Sequence, residues 1–231
     1  MNIEEVDISN KKIDDAMKRF PIQKFEFDRN PNKIMSACSF GIIGSSKSGK
    51  TTFLKYLLKD KFEDDIKVLM TQSPASDIYT SIKKDSAFAP NYLPEVIRSC
   101  YLINKHTKNY YPFCMIVDDV VGVKNDRQMA KLMCLYRNSR MSAIVCGQDL
   151  TLLNPTGRAN VNYLCLFKQN TDNRIEDNIR NFCKSYFPKN LSMDEKCELY
   201  KKLTEDHCFL FVNQLDSTMI RCKLRPEQII E

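Results

Sequence analysis

The sequence predicts an α/β fold: a mostly parallel, doubly wound sheet flanked by helices, with a C-terminal hairpin extending the sheet. Three observations predict it. Short apolar runs recur at 34–43, 66–70, 113–117, 143–146 and 162–168, and several are continuous rather than alternating, as in strands buried on both faces. The segments between them carry helical spacing, and strands alternating with helices define a parallel sheet covered on both sides. Finally, the first of these runs passes through a glycine-containing loop straight into a helical segment.

Size and composition agree. A chain of 231 residues, 43% hydrophobic and 28% charged, is one domain with room for a sizeable core. No run approaches the ~18 apolar residues of a membrane span, and residues 1–7 are acidic without an apolar core. The expectation is a protein that is neither secreted nor bound to a membrane. The net charge of +6 is compatible with a nucleic-acid partner without arguing for one alone. Of the ten cysteines, Cys38, Cys114, Cys146, Cys165 and Cys208 sit in apolar runs and there is no C-x-x-C pair, so they read as reduced, buried thiols. His207 and Cys208, with Cys183, Cys197 and Cys222, have the wrong spacing for a zinc finger.

In chain order, residues 1–33 are polar and form an N-terminal arm with a short helix around 10–20. Residues 34–231 form the main domain, with a motif core at 34–170 and C-terminal helices and hairpin at 171–231. A helix follows the loop at 50–59. Leu93, Val96, Ile97, Cys100 and Tyr101 keep helical spacing, opened by Pro94 in the first turn. Met129, Leu132, Met133 and Tyr136 share one face of a helix at 126–137. Helices fit 172–187 and 192–204, the second opened by a capping box from Ser192 to Glu195. Segments 208–213 and 218–224 form the hairpin, turning at Leu215, Asp216 and Ser217.

The loop after the first strand reads Gly44, Ser45, Ser46, Lys47, Ser48, Gly49, Lys50, Thr51, which is G-x-x-x-x-G-K-[ST], the Walker A signature. Glycines let the backbone curl so that successive N–H groups face phosphate oxygens, and the helix N-terminus completes the nest. Lys50 reaches the β- and γ-phosphates, and the Thr51 hydroxyl coordinates Mg²⁺. With Thr52, these residues form the nucleotide-binding set.

Strand 113–117 ends in Asp118 and Asp119, delivered to the C-terminal end of the sheet, where open α/β sheets bind ligands. Asp118 is expected to hold the Mg²⁺ shell as Walker B, and Asp119 to polarise or accept a proton from the attacking water. Gln148, after strand 143–146, is placed to sense the γ-phosphate or orient water; a surface amide is the alternative. Arg158, before strand 162–168, is a candidate for stabilising transition-state charge in its own or a neighbouring subunit, against the alternative of a solvated loop arginine.

The order of these motifs, Gly44 to Thr51, then PFCMIVDDVVG, then Tyr136-Arg137 leading to Gln148, then Gly157-Arg158-Ala159-Asn160, resembles the poxvirus-type DNA-packaging ATPases of large DNA viruses and virophages, in the FtsK–HerA superfamily of P-loop ATPases. The resemblance covers 34–170. It implies a P-loop fold, ATP and Mg²⁺ as cofactors, a homo-oligomeric ring, double-stranded DNA as the translocated partner and a capsid or portal-like protein as the dock. The setting it implies is a viral factory in the host cytoplasm, with possible association with the virion. It also implies the roles above for Lys50, Thr51, Asp118, Asp119 and Gln148, with Arg158 a trans-acting finger. Three departures stand out: Lys47 replaces a glycine usual in the loop, Asp119 stands where many relatives carry glutamate, and the stretch before Walker B is compact. Arg137 falls where the family usually has an Arg-His pair, and Asn138 follows it here.

The leading expectation is therefore an ATP-hydrolysing motor that packages DNA, with Lys124, Arg127, Lys131 and Arg140 as candidate DNA contacts. The alternatives are a nucleoside or nucleotide kinase, for which lid arginines are missing, and a nucleotide-gated assembly protein with little turnover. Average usage predicts about 16 glycines in such a chain, yet there are 6: Gly41, Gly44, Gly49, Gly122, Gly147 and Gly157. Each flanks one of the motifs above, and the glycine-free C-terminal third is expected to be structural or partner-facing.

Overall fold

The computed structural model describes residues 3–29, 36–72, 86–120, 126–149, 152–153 and 155–229. Nine strands among them form one sheet: β1 (Ile22–Lys24), β2 (Ser39–Ile43), β3 (Ile66–Thr71), β4 (Ser86–Ala89), β5 (Phe113–Asp118), β6 (Met141–Gly147), β7 (Tyr163–Leu166), β8 (Phe209–Asn213) and β9 (Thr218–Lys223). Their order across the sheet is β1-β9-β8-β7-β2-β6-β5-β3-β4. Neighbours are parallel except where the β8–β9 hairpin joins antiparallel to β7. The expected fold, including the hairpin that extends the sheet, is the one observed.

The helices are α1 (Ile3–Met17), α2 (Lys50–Tyr56), α3 (Pro94–His106), α4 (Arg127–Cys134), α5 (Pro155–Asn160), α6 (Asp172–Asn178) and α7 (Met193–Leu203). Two expected helices are shorter than their periodicity implies. The one at 50–59 passes into a π-helical turn at Leu57–Lys61, and the one at 172–187 does so at Ile179–Cys183. That at 126–137 closes at Cys134 and a 3₁₀ turn, Tyr136–Ser139, follows. Apolar spacing is nearly the same in all three helix types, so the sequence cannot separate them. The arm helix lies at Ile3–Met17 rather than 10–20, and of the first expected strand residues 39–43 form β2 while 34–35 lie outside the described residues. At α7 the capping box is present, with the Glu195 amide donating to Ser192 Oγ at 3.2 Å and the Ser192 amide to Glu195 Oε2 at 2.8 Å.

Alternation along each strand sends side chains to two cores. Ile43, Met70, Met115, Val117, Val145 and Leu164 face α1, α3, α4, α6 and α7. Phe40, Ile42, Leu69, Ile116, Ile144 and Cys165 face α2 and an aromatic cluster. Residues of the arm belong to that cluster. Phe25 is fully buried, edge-on to Phe53 at 4.9 Å and to Phe211 at 5.1 Å, while Phe27 meets Phe40 and Tyr163 at 5.1 and 4.9 Å. Further back, Lys202 Nζ reaches Asp14 at 2.9 Å and holds α1 on α7. The polar stretch that reads as an arm is thus tied to the domain by its few phenylalanines, each worth about 1.5–3 kcal/mol when buried.

All ten cysteines are free thiols, and only Cys134 is partly exposed. Burial pushes the Cys100 thiol up to about 11 and the Cys38 thiol to about 12, which suppresses the reactive thiolate at both. Native protein treated with iodoacetamide is expected to be alkylated at Cys134 first and at the other nine only after unfolding, as peptide mass spectrometry would show. Rapid native labelling of Cys38 or Cys114 would contradict this packing.

Candidate nucleotide-binding site

The phosphate-loop strand β2 lies at the middle of the sheet, and the loop 44–49 rises from its C-terminal end. The loop is rooted on its neighbours: the Gly44 amide donates to Gly147 O at 3.1 Å and the Ser45 amide to Lys168 O at 2.9 Å. A Cβ at Gly44 would lie 2.5 Å from Phe167 Cβ, so no other residue fits there. Gly49 caps α2 with φ of 102°, in the left-handed region that glycine enters without penalty. Lys47 has φ of 61°. The loop therefore bends left-handed at the very position where the resemblance expects glycine, at a cost of about 1–2 kcal/mol for a side-chain-bearing residue. The first turn of α2 carries no acidic residue, and the Ser48 hydroxyl is buried without a hydrogen-bond partner. Both features suit an anion.

Lys50 opens α2 and folds its ammonium back over the loop, donating to Gly44 O at 2.6 Å and Ser45 O at 2.7 Å. Burial lowers its pKa below that of a free lysine, while Cys146, Asp118 and Asp119 act in the opposite direction. These groups are therefore neighbours in space although Asp118 lies 68 positions after Lys50 in the chain. Strand register explains this. β6 lies between β2 and β5, with Ile43 level with Gly147 and Cys146 level with Asp118. The Cys146 thiol is pushed well up by burial and then by the Asp118 carboxylate, so it stays protonated beneath the acids.

Asp118 ends β5 half-buried, whereas Asp119 is exposed, with φ of 48° and its amide donating to Cys146 O at 3.2 Å. A left-handed aspartate directly after a buried strand is a strained turn of the kind found at functional sites.

Gln148 leaves β6 exposed. Its backbone carbonyl accepts from Gln169 Nε2 at 3.1 Å, and Gln169 Oε1 accepts from Ser45 Oγ at 3.1 Å. Gln169 is buried and ties the phosphate loop to the Gln148 turn, a link the sequence reading passed over. Its only signal is a polar residue following the apolar run of β7.

Arg158 is not brought to this cluster. The end of α5 sits where the strands begin: the Asn162 amide donates to Ser39 O, and Tyr163 is level with Phe40. The five residues of β2 separate that edge from the loop, roughly 16 Å of strand. Arg158 lines a surface groove of about 470 Å³ with Pro155, Phe182 and Tyr186. The proposed DNA-contact residues also disperse. Arg127 and Lys131 are exposed on α4, but Arg140 donates to Tyr110 O at 2.9 Å at the strand-start edge, and Lys124 lies outside the described residues. Of the six glycines, Gly122 lies outside them as well. Among the described residues no helix is long and apolar enough to cross a membrane.

A mostly parallel sheet whose middle strand runs through a glycine-bounded loop into a helix, with a strand two places away ending in two acids, is the fold of a P-loop ATPase. The chain belongs to the Poxvirus A32 protein family, which matches residues 24–192. Among solved structures it is similar to the genome packaging NTPase B204 of Sulfolobus turreted icosahedral virus 2 in complex with AMP, with 16% identity, coverage of 85% of this chain and 99% of that one, and a TM-score of 0.58. It is also similar to B204, the DNA-packaging ATPase of Sulfolobus turreted icosahedral virus, with 13% identity, 81% and 98% coverage and a TM-score of 0.59. ATPases 2 and 3 of EssC from Geobacillus thermodenitrificans match at 10% identity over 81% of this chain and 39% of that one, with a TM-score of 0.57. No curated protein sequence matches the chain.

Proposed function

We propose that this chain is an ATP-hydrolysing motor that translocates double-stranded DNA and packages a viral genome into a preformed capsid. The observation that carries the reading is the convergence of Lys50, Asp118 and Asp119 at the end of the central strands, against a loop whose amides and Ser48 hydroxyl suit phosphate. Membership of the poxvirus family and the likeness to B204, whose structures hold AMP, AMPPCP and ATP-gammaS, support the same conclusion.

Residues 44–52 hold the triphosphate, with the Lys50 ammonium moving from the loop carbonyls to the β- and γ-phosphates. Thr51 and Asp118 offer a hydroxyl and a carboxylate, the hard oxygen donors that Mg²⁺ accepts beside phosphate and water, and the protonated Cys146 thiol does not compete. Bound there, Mg²⁺ would neutralise charge on the β- and γ-phosphates. Asp119 accepts the proton of the attacking water, and Gln148 orients that water. Arg158, remote from its own loop, serves a neighbour's site in a homo-oligomeric ring. Residues 34–231 make up the motor domain, with 1–33 an arm clamped to it. The motor docks on a capsid or portal-like protein and works in the viral factory of the host cytoplasm.

The test is ATP turnover with and without duplex DNA across a salt series. Stimulation that fades as salt rises is expected, since phosphate contacts release counterions. No stimulation at any salt concentration would overturn the translocase reading. The Arg158→Ala and Lys50→Ala proteins, each inactive alone, should recover part of the wild-type rate when mixed, because some interfaces then pair an intact loop with an intact arginine. No recovery would remove Arg158 from the shared site.

A further inference from the structure

We propose that the C-terminal third completes the nucleotide site by forming its nucleobase pocket, with His207 and Leu224 as walls beside the phosphate loop. The inference rests on the phosphate loop binding a nucleotide, and it adds where the base goes. A cavity of about 400 Å³ opens beside the loop, between Gly49, Lys50 and Thr51 on one side and His207, Leu224 and Ile229 on the other. This volume lies in the range of small-ligand sites, roughly 300–1,000 Å³, and such sites combine apolar walls with a few polar groups.

The two sets of residues have different origins and different chemistry. The loop side carries the amides and the ammonium that suit phosphate. The opposite side comes from Phe167 just after β7, from the turn before β8 and its first residue Phe209, from the end of β9 and from the segment after it. Phe167 and Phe209 stack at 4.8 Å with 21° between their planes and form a rigid floor in the aromatic core. His207 is exposed and left-handed, with φ of 60°, as is Asp206 before it at 53°. That double left-handed turn carries the imidazole toward the loop, where its Nδ1 would be 3.6 Å from a Cβ placed on Gly49. A triphosphate seated in the loop therefore has beside it a space of the right size, with an aromatic floor, an imidazole at the rim and Leu224 and Ile229 as aliphatic walls. Such a surface takes the flat face of a heteroaromatic base.

The pairing of β9 with β8 and β1 holds Leu224 at this position. This gives the glycine-free third of the chain a part in the chemistry, where the sequence alone assigned it a structural or partner-facing one.

The experiment compares ATP with inorganic tripolyphosphate as competitors of a fluorescent ATP analogue. Wild-type protein is expected to bind ATP about 5- to 100-fold more tightly than tripolyphosphate, the span that stacking of one base supports. His207→Ala and Leu224→Ala should narrow that ratio severalfold and leave tripolyphosphate affinity unchanged, which also certifies that each variant is folded. Photolabelling of the wild-type chain with 8-azido-ATP reads the pocket without any substitution, and should place the label at Phe167 or within 205–229. Equal affinity for ATP and tripolyphosphate, an unchanged ratio in both variants, or a label elsewhere in the chain would overturn the pocket. Failure of both ligands to bind at all would instead overturn the phosphate-loop reading on which it rests.

Discussion

Replacing Lys50 by alanine is expected to lower ATP turnover by about 10²- to 10³-fold, the loss seen when one preorganised group is removed from developing transition-state charge. Among the described residues the side chain is the only ammonium folded onto the loop carbonyls, at 2.6 and 2.7 Å from Gly44 O and Ser45 O. It is also the group on which Asp118 and Asp119 both act. Hydrolysis gathers negative charge on the β–γ bridge and the γ-phosphoryl oxygens, and a half-buried cation there acts in a low dielectric at full effect. The two carbonyl bonds lost from the free protein have a charged donor and are worth about 1.5–3 kcal/mol each. Burial disfavours the ammonium more than any other effect on it, however, so relief of that cost offsets most of the loss. The melting temperature should therefore fall by no more than roughly 5 °C. Turnover measured in the assembled protein with DNA, beside a thermal melt, separates the two effects. A variant that melts like wild type and retains more than a tenth of its turnover would remove Lys50 from the chemistry.

Much of this site was legible in the sequence because its demands are local. A phosphate nest needs glycine at a close approach and at a left-handed cap, and Gly44 and Gly49 supply both within six residues. A buried strand ending in acids reads plainly as Phe113 to Asp119. What was not legible depends on the path of the chain in three dimensions. The sequence could not say that β6 would intervene between β2 and β5, yet that placement sets Cys146 under the acids and Gln148 between the two motifs. Nor could it separate Arg158 from its own loop, since the distance arises from the direction of β7. Strands β1 and β4 escaped for a different reason. They are short sheet edges with exposed side chains, Ile22 and Phe88 among them, and an edge strand lacks the buried pattern that identifies a central one.

The buried ion pair between Arg29 and Asp65 carries the largest stability effect. Arg29 Nη1 and Nη2 donate to the two carboxylate oxygens at 2.9 and 2.8 Å, with 3% and 0% of the respective side chains exposed. The guanidinium also lies 4.2 Å from the centre of the Phe62 ring and donates to Lys61 O and Ser36 O. It thus fastens the arm to the loop between the π-helical turn and β3. Asp65→Leu would strand a guanidinium in the core, a loss of about 3–5 kcal/mol. For a chain of this size that lowers the melting temperature by roughly 6–20 °C. Burial pushes the Asp65 carboxyl above its ordinary range even though Arg29 pulls it down, so desolvation outweighs the attraction of the pair. It follows that removing both charges should cost less than removing one. The double variant Arg29→Met, Asp65→Leu leaves a flexible thioether on Phe62 and no unpaired charge, at the expense of two carbonyls that lose a donor. It is expected to recover at least half of the stability that Asp65→Leu loses. Because Arg29→Met alone would also leave a buried, unpaired charge, the coupling energy in a double-mutant cycle should be at least about 2 kcal/mol. If the double variant melts at or below the Asp65→Leu protein, the ion pair is not what makes the single substitution costly, and the carbonyl bonds of Arg29 hold the arm in place.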